Sequence, residues 1–263
     1  ASVASRGLGD VYKRQRLDMR THQGEHPRLG VVDVCPFVPL RDVTMDECAE
    51  MARDVVRQVS EETGVPMFLY GAAATHADRE LLSTLRKEEY EGLKSRLSNG
   101  DTNHGETTRL PDSGSMEWNE TVARSGGITV GARNILVAYN VNVNETNAVV
   151  SKKIGSLVRT SGRLLKSKNG GRIRAPGMLP MVQGMGVTLE ELQISQVSMN
   201  LRDVDQCPLH LAFKTCESIA GDHNIELLGS EIVGLVPLKA MLDAGAYFAP
   251  DATDEHALSL IHI

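Results

Sequence analysis

The 263-residue sequence has no uncharged apolar run approaching the ~18 residues of a membrane-spanning helix, which excludes an integral helical membrane protein. Its four cysteines (Cys35, Cys48, Cys207 and Cys216) include no CxxC pair, and no secretory apolar segment precedes them. Such usage suits reduced thiols in a cytoplasm. Without export, the acceptor patterns Asn119-Glu-Thr and Asn144-Glu-Thr carry no meaning. GxGxxG, GxxxxGK[ST], GxSxG and HExxH are absent, so dinucleotide, P-loop, hydrolase-elbow and zincin chemistry lack support. Basic charge is not in excess either. Against 34 acidic residues stand 28 Lys and Arg, a net charge of −6, which argues against nucleic acid as the main partner. What remains is ordinary globular composition, 24% charged and 41% hydrophobic, long enough for one large or two small domains.

Residues 1–16 and 253–263 read as tails foreign to the fold. Between them, Thr44-Met-Asp-Glu47 is a capping box opening a helix that Gly64 ends. A strand is expected over 31–38, and Val65–Tyr70 reads as a short buried strand. Residues 81–97 are expected to be helical in part, and 98–127 form a long polar connection holding the single Trp118. Residues 135–143 alternate as a strand, and a helix is expected over 146–161. Strands over 179–187 and 194–201, a helix opened by Pro208, a strand over 226–236 and a helix over 238–247 complete the pattern. Strands and helices interleave without a strict β-α-β period, so the fold class is α/β, as two sandwich-like units meeting near Gly131-Ala132-Arg133. The expected units are 17–132 and 133–252.

Eight basic residues and no acid lie between Ser151 and Arg174, whereas three basic and twelve acidic residues follow from Ala175 onward. The basic run reads as a helix end and a flexible loop, either simply solvated or a clamp for a polyanionic substrate tail.

The densest chemical signal is His22-Gln-Gly-Glu-His26-Pro-Arg28-Leu-Gly-Val-Val-Asp33-Val-Cys35. His22 and His26 sit four apart, but Gly24 and Pro27 argue against the helix that zinc binding would need, and no metal site is expected. A proline-held loop entering a strand is a rigid mount for an imidazole, and His26 can move a proton near neutral pH. Arg28 can grip a carboxylate as a planar fork. The alternative is a structural His26 on a turn, with Arg28 paired to Glu25 or Asp33.

The stretch from Gly24 to Pro39, GEHPRLGVVDVCPFVP, resembles the signature of the glutamate formimidoyltransferase family, the formiminotransferase half of formimidoyltransferase-cyclodeaminases. The resemblance continues through the capping-box helix, the VPMFLYG strand, Glu89-Tyr-Glu-Gly-Leu93 and Pro111-Asp112. It then runs through Ala123-Arg-Ser-Gly126, Gly131-Ala-Arg133, Leu136-Val-Ala-Tyr-Asn140, Gln196-Val-Ser-Met-Asn200 and residues 229–239. It implies two ferredoxin-like α/β subdomains with a substrate groove between them, a homodimer, and no bound metal. The implied reaction moves a formimidoyl group between N-formimidoyl-L-glutamate and tetrahydrofolate, the latter as co-substrate, in histidine degradation. The resemblance makes His26 the catalytic histidine and places the folate-contact segment on Gly114, Ser115, Met116, Glu117, Trp118 and Asn119, continuing on Ala123, Arg124, Ser125 and Gly126.

Transfer between two amines passes through a tetrahedral adduct, so one imidazole serving as base and then acid fits the chemistry. Arg28, Arg124 and Arg133 are the candidate cations for substrate carboxylates. Trp118 either stacks on the pterin or anchors its loop. Arg133 alternatively forms an ion pair, and Ser198 and Asn200 either line the groove or satisfy each other's sheet. A formyl in place of a formimidoyl donor, and a catalytically inactive folate- or glutamate-binding fragment, stay open. Three departures stand out. The family's opening strand–helix–strand is not in this sequence, so an N-terminally truncated domain is expected. Glu120, Thr121 and Val122 interrupt the folate segment, and Glu88 stands where the family has glycine.

Overall fold

A computed structural model describes residues 16–23, 27–99, 109–166 and 170–250. The expected tails, apart from Arg16, lie outside these residues, as does Lys168 of the basic run. The chain divides into two compact units after Asn134.

Unit 1 is built on a three-stranded parallel sheet of β1 (Val34–Phe37), β2 (Met67–Gly71) and β3 (Ile128–Ala132) in the order β1-β3-β2. Helix α1 (Met45–Thr63) starts at the capping box: the Thr44 hydroxyl accepts the Glu47 N–H at 3.2 Å while the Glu47 carboxylate accepts the Thr44 N–H at 2.7 Å. Gly64, at φ 67°, ends it in the left-handed conformation that costs glycine little. The buried face of α1 (Cys48, Ala49, Ala52, Val56) packs on Met67, Leu69, Ile128 and Val130. Phe68 and Tyr70 point to the other side, against Leu29, Leu85, Leu93 and Val122. Those residues come from the segment before β1 and from helices α2 (Leu82–Leu85), α3 (Glu89–Asn99) and α4 (Glu120–Ser125). With both faces covered, the strands carry continuous apolar runs and not alternation. That is why β3 carries no periodic signal in the sequence although it is the central strand.

The connection expected over 98–127 contains α4 in its described part. Asn119 caps this helix, its side-chain oxygen accepting the Val122 N–H at 3.0 Å. Glu120, Thr121 and Val122 are therefore a helix's first turn, and Val122 is fully buried.

Unit 2 contains β4 (Val137–Val143), α5 (Val149–Val158), β5 (Arg163–Lys166), β6 (Arg172–Ala175), β7 (Val182–Leu189), β8 (Ile194–Leu201), α6 (Leu209–Gly221), β9 (Leu227–Val233) and α7 (Leu238–Phe248). Its main sheet is antiparallel in the order β7-β8-β4-β9. Leaving aside the β5–β6 hairpin, the path β4-α5-β7-β8-α6-β9 is the β-α-β-β-α-β path of ferredoxin-like folds. The ferredoxin-like arrangement expected of both units is thus seen in unit 2, while unit 1 shows a parallel sheet in its described residues.

Val137, Tyr139, Val141 and Val143 face Ile154, Val158, Ala212 and Cys216, forming the core of unit 2. A Cβ on Gly186 would lie 2.1 Å from the Lys152 backbone nitrogen, so Gly184-Met-Gly186 serves close seating of α5 on β7. Burial pushes the Cys207 thiol up to about 11 and the Cys216 thiol up to about 12, and all four cysteines are free. The basic run is not a helix end and loop. Its described part is the hairpin β5–β6, which sets Lys166 opposite Arg172. No helix among the described residues is long and apolar enough to cross a membrane.

Candidate functional site

The segments that carry the family-like motifs in unit 1 are stitched together by backbone contacts. Leu29 is fully buried, and its N–H donates to Asp33 Oδ1 at 2.7 Å, bending the chain between Arg28 and β1. The Val31 N–H donates to the Ser125 carbonyl and the Gly127 N–H to the Leu29 carbonyl, at 2.9 and 3.0 Å. Gly30 and Gly126 form a bridge at this crossing. A Cβ on Gly30 would meet the Gly127 oxygen at 2.3 Å, and one on Gly126, whose φ is 68°, would meet the Leu29 oxygen at 2.2 Å. Both glycines are required by two backbones in contact. The Tyr90 N–H donates to the Arg28 carbonyl at 2.9 Å and its hydroxyl to the Ala123 carbonyl. Motifs around residues 28, 90 and 125 therefore form one cluster.

His26 lies outside the described residues, as do Gly24 and Glu25. Arg28, two positions on, has a side chain only 14% exposed and is fully engaged. Its guanidinium donates to Glu89 at 3.0 Å, to Glu91 at 2.7 Å and to the His22 carbonyl at 3.0 Å. Neither Glu25 nor Asp33 is its described partner: Asp33 is paired with Arg86. The Arg28 guanidinium beside Glu91 holds that carboxyl below the usual carboxylate range. A shallow depression of about 520 Å³ opens here, lined by Gln23, Arg28, Glu88, Glu89 and Glu91. Glu88 adopts φ 66°, which explains why a glycine suits that position.

The expected folate segment is distributed over several environments. Gly114 is at φ 87°, where a Cβ would lie 2.0 Å from the Val65 oxygen. The Ser115 hydroxyl accepts from the Glu117 N–H and from Asn119 Nδ2, tying the turn to the α4 cap. Met116 and Glu117 are exposed. Trp118 is half-buried against the Leu29–Phe68 cluster, its ring centroid 5.8 Å from that of Tyr90. Its geometry is that of a loop anchor. Ala123 and Ser125 are buried and Arg124 is exposed. Arg133 donates to the Asn134 carbonyl at 2.9 Å. Tyr70, whose ring occupies the space a Cβ on Gly131 would take, is buried, and its hydroxyl has no hydrogen-bond partner among the described residues. In unit 2, Ser198 and Asn200 lie on the sheet face away from α5 and α6, in register with Asn140 and Ala138.

Sequence reasoning missed Glu89 and Glu91 as partners of Arg28, although both stand in a quoted motif. It also missed the Asp33–Arg86 pair, which only the fold brings together. Among the described residues no group of three or more His, Cys, Asp or Glu side chains converges as a metal site.

Comparison with known proteins places this geometry. Residues 12–133 match the pattern described as formiminotransferase domain, N-terminal subdomain, and residues 138–259 match formiminotransferase domain. The glutamate formimidoyltransferase of Streptococcus pyogenes serotype M1 is 36% identical over 237 residues, 90% of this chain and 71% of the relative. That of Thermoplasma acidophilum is 37% identical over 234 residues, 88% of this chain and 69% of the relative. The formimidoyltransferase-cyclodeaminase of Dictyostelium discoideum is 40% identical over 232 residues, 88% of this chain but 40% of the relative. By both domain matches and these relatives, the chain belongs to the formiminotransferase family.

Proposed function

We propose that this chain moves a formimidoyl group between N-formimidoyl-L-glutamate and tetrahydrofolate, with His26 as general base and then general acid. The attacking folate nitrogen loses a proton as the tetrahedral adduct forms, and the departing glutamate nitrogen gains one as it collapses; one imidazole near neutral pH serves both steps. The observation that supports this reading best is the cluster beside the Glu-His-Pro-Arg motif. There the segment just after His26 is fixed to the Ala-Arg-Ser-Gly segment by backbone hydrogen bonds that only glycines allow.

Arg28, already held by Glu89 and Glu91, acts in this reading as a positioning residue for the His26 loop. Exposed Arg124 and half-buried Arg133 are then the candidates for substrate carboxylates. Residues 17–132 and 133–252 serve as the two subdomains, residues around Gly114–Gly126 contact the folate, and the protein works as a cytoplasmic homodimer in one-carbon metabolism.

The test is the rate of folate-product formation with His26→Ala beside the unaltered chain. The reading expects kcat to fall by about 10²–10⁴-fold with the donor KM retained. Unchanged kcat in the variant contradicts the role of His26. Transfer from N-formyl-L-glutamate alone contradicts the formimidoyl donor, and folate binding without turnover of either donor makes the chain a binding module.

A further inference from the structure

The four-stranded sheet of unit 2 has one face under α5 and α6, and its register gives the composition of the other. Gln183, Met185 and Val187 of β7, Gln196, Ser198 and Asn200 of β8, Ala138, Asn140 and Asn142 of β4, and Gly229, Glu231 and Val233 of β9 share that face. Hydroxyl, carboxamide and apolar groups make up this set, with a single charge, Glu231.

The carboxylate is held in place. Gln196, only 5% exposed, donates through Nε2 to Glu231 Oε1 at 2.5 Å and to Asn142 Oδ1 at 2.8 Å. Asn140, directly opposite Glu231 in the register, donates to the same Oε1 at 3.4 Å. Among the described residues no Lys, Arg or His forms an ion pair with Glu231, and its Oε2 and the Asn140 Oδ1 accept no hydrogen bond. The face therefore presents an oriented anionic acceptor beside a neutral one, in a setting otherwise without charge. That is complementary to a planar cation bearing two N–H donors, as a guanidinium is to a carboxylate.

We propose that Glu231, aligned by Gln196 and Asn140, recognises the protonated formamidine group of the donor substrate and so selects a formimidoyl over a formyl donor. The inference rests on the transfer reaction proposed above. N-Alkyl formamidines are cations at neutral pH, whereas the corresponding formamides are neutral, so one carboxylate distinguishes two donors of nearly the same shape. In unit 1 the carboxylates of Glu89 and Glu91 are already taken by Arg28, which leaves them poorly suited to this role.

The experiment is calorimetric titration of the full chain and its Glu231→Gln variant with N-formimidoyl-L-glutamate and with N-formyl-L-glutamate, paired with initial rates for each donor. Glutamine keeps the acceptor for Gln196 and Asn140 and removes only the charge, and Glu231→Asp retains the charge. The expected result is at least a tenfold weaker affinity and higher KM for the formimidoyl donor in Glu231→Gln. Formyl-donor binding and the tetrahydrofolate KM should change less than twofold, with partial recovery in Glu231→Asp. Equal losses for both donors, or none, overturn the proposal. Binding without turnover in the unaltered chain defeats the transfer reading and still leaves the charge discrimination decided by the titration.

Discussion

The two units solve the same packing problem differently. Unit 1 covers both faces of its parallel sheet, one with α1 and the other with α2, α3, α4 and Leu29. Its candidate residues therefore stand on connecting segments pinned by backbone contacts and ion pairs, around Arg28, Asp33 and Arg133. Unit 2 covers one face of an antiparallel sheet and leaves the other to amides, hydroxyls and Glu231. Chemistry in unit 1 is positioned by loops, whereas in unit 2 it is written directly onto strands. Antiparallel sheets allow the second arrangement because their strands can alternate, and doubly covered parallel sheets do not.

The sharpest way to break this contrast is to truncate one middle position on each second face. Phe68→Ala empties a fully buried ring site and is expected to cost about 3–5 kcal/mol. Ser198→Ala, on the uncovered face, is expected to change stability by less than about 0.5 kcal/mol. Denaturant midpoints measure both; comparable losses would mean that the second face of unit 2 is packed as tightly as that of unit 1.

Smaller effects probe the ion pairs of unit 1. Arg28 lowers the Glu91 carboxyl beneath its ordinary value of 4.5 in the folded state. The stabilisation is therefore present above pH 4.5 and is lost as pH falls through the lower folded value. Melting temperature against pH should fall less steeply in this acid window for Glu91→Gln than for the unaltered chain. An identical slope would remove the pair from the stability account.

The smallest expected effect is a gain. Glu88 and Glu89 both adopt positive φ, 66° and 53°, and Glu88 repays its strain only with a 3.5 Å contact to Arg109. Glu88→Gly should stabilise unit 1 by about 1 kcal/mol, roughly 2–4 °C in melting temperature. A lower melting temperature would show that the Arg109 contact outweighs the backbone cost.

Unit 2 was the more legible half of the sequence. The alternation in 135–143 and 194–201 marked β4 and β8 because those strands separate an apolar face from a polar one. The capping box of α1 was equally plain, since both of its hydrogen bonds join residues three apart. β3 was invisible because Ile128–Ala132 is buried on both sides, and α4 because six residues carry too little periodicity. The hairpin β5–β6 was hidden by its charge, which reads as loop whatever the backbone does.

The candidate site followed the same division. Motif residues near 28, 90 and 125 were recognisable as a set, but their mutual fastening depends on contacts between segments about 60 to 100 positions apart. The Glu231 arrangement needed strand register, which places Asn140 and Gln196 beside it from two other strands. No local spacing in the sequence encodes that meeting.

The most direct measurement follows the reacting carbon itself. N-formimidoyl-L-glutamate labelled with ¹³C in the formimidoyl group is mixed with tetrahydrofolate and the chain, and the label is tracked by NMR with His26→Ala in parallel. The account predicts that the resonance moves from the glutamate adduct to a folate adduct with release of free glutamate, and that the variant leaves it in place. Label that stays on glutamate with the unaltered chain, or moves equally fast with the variant, would contradict it.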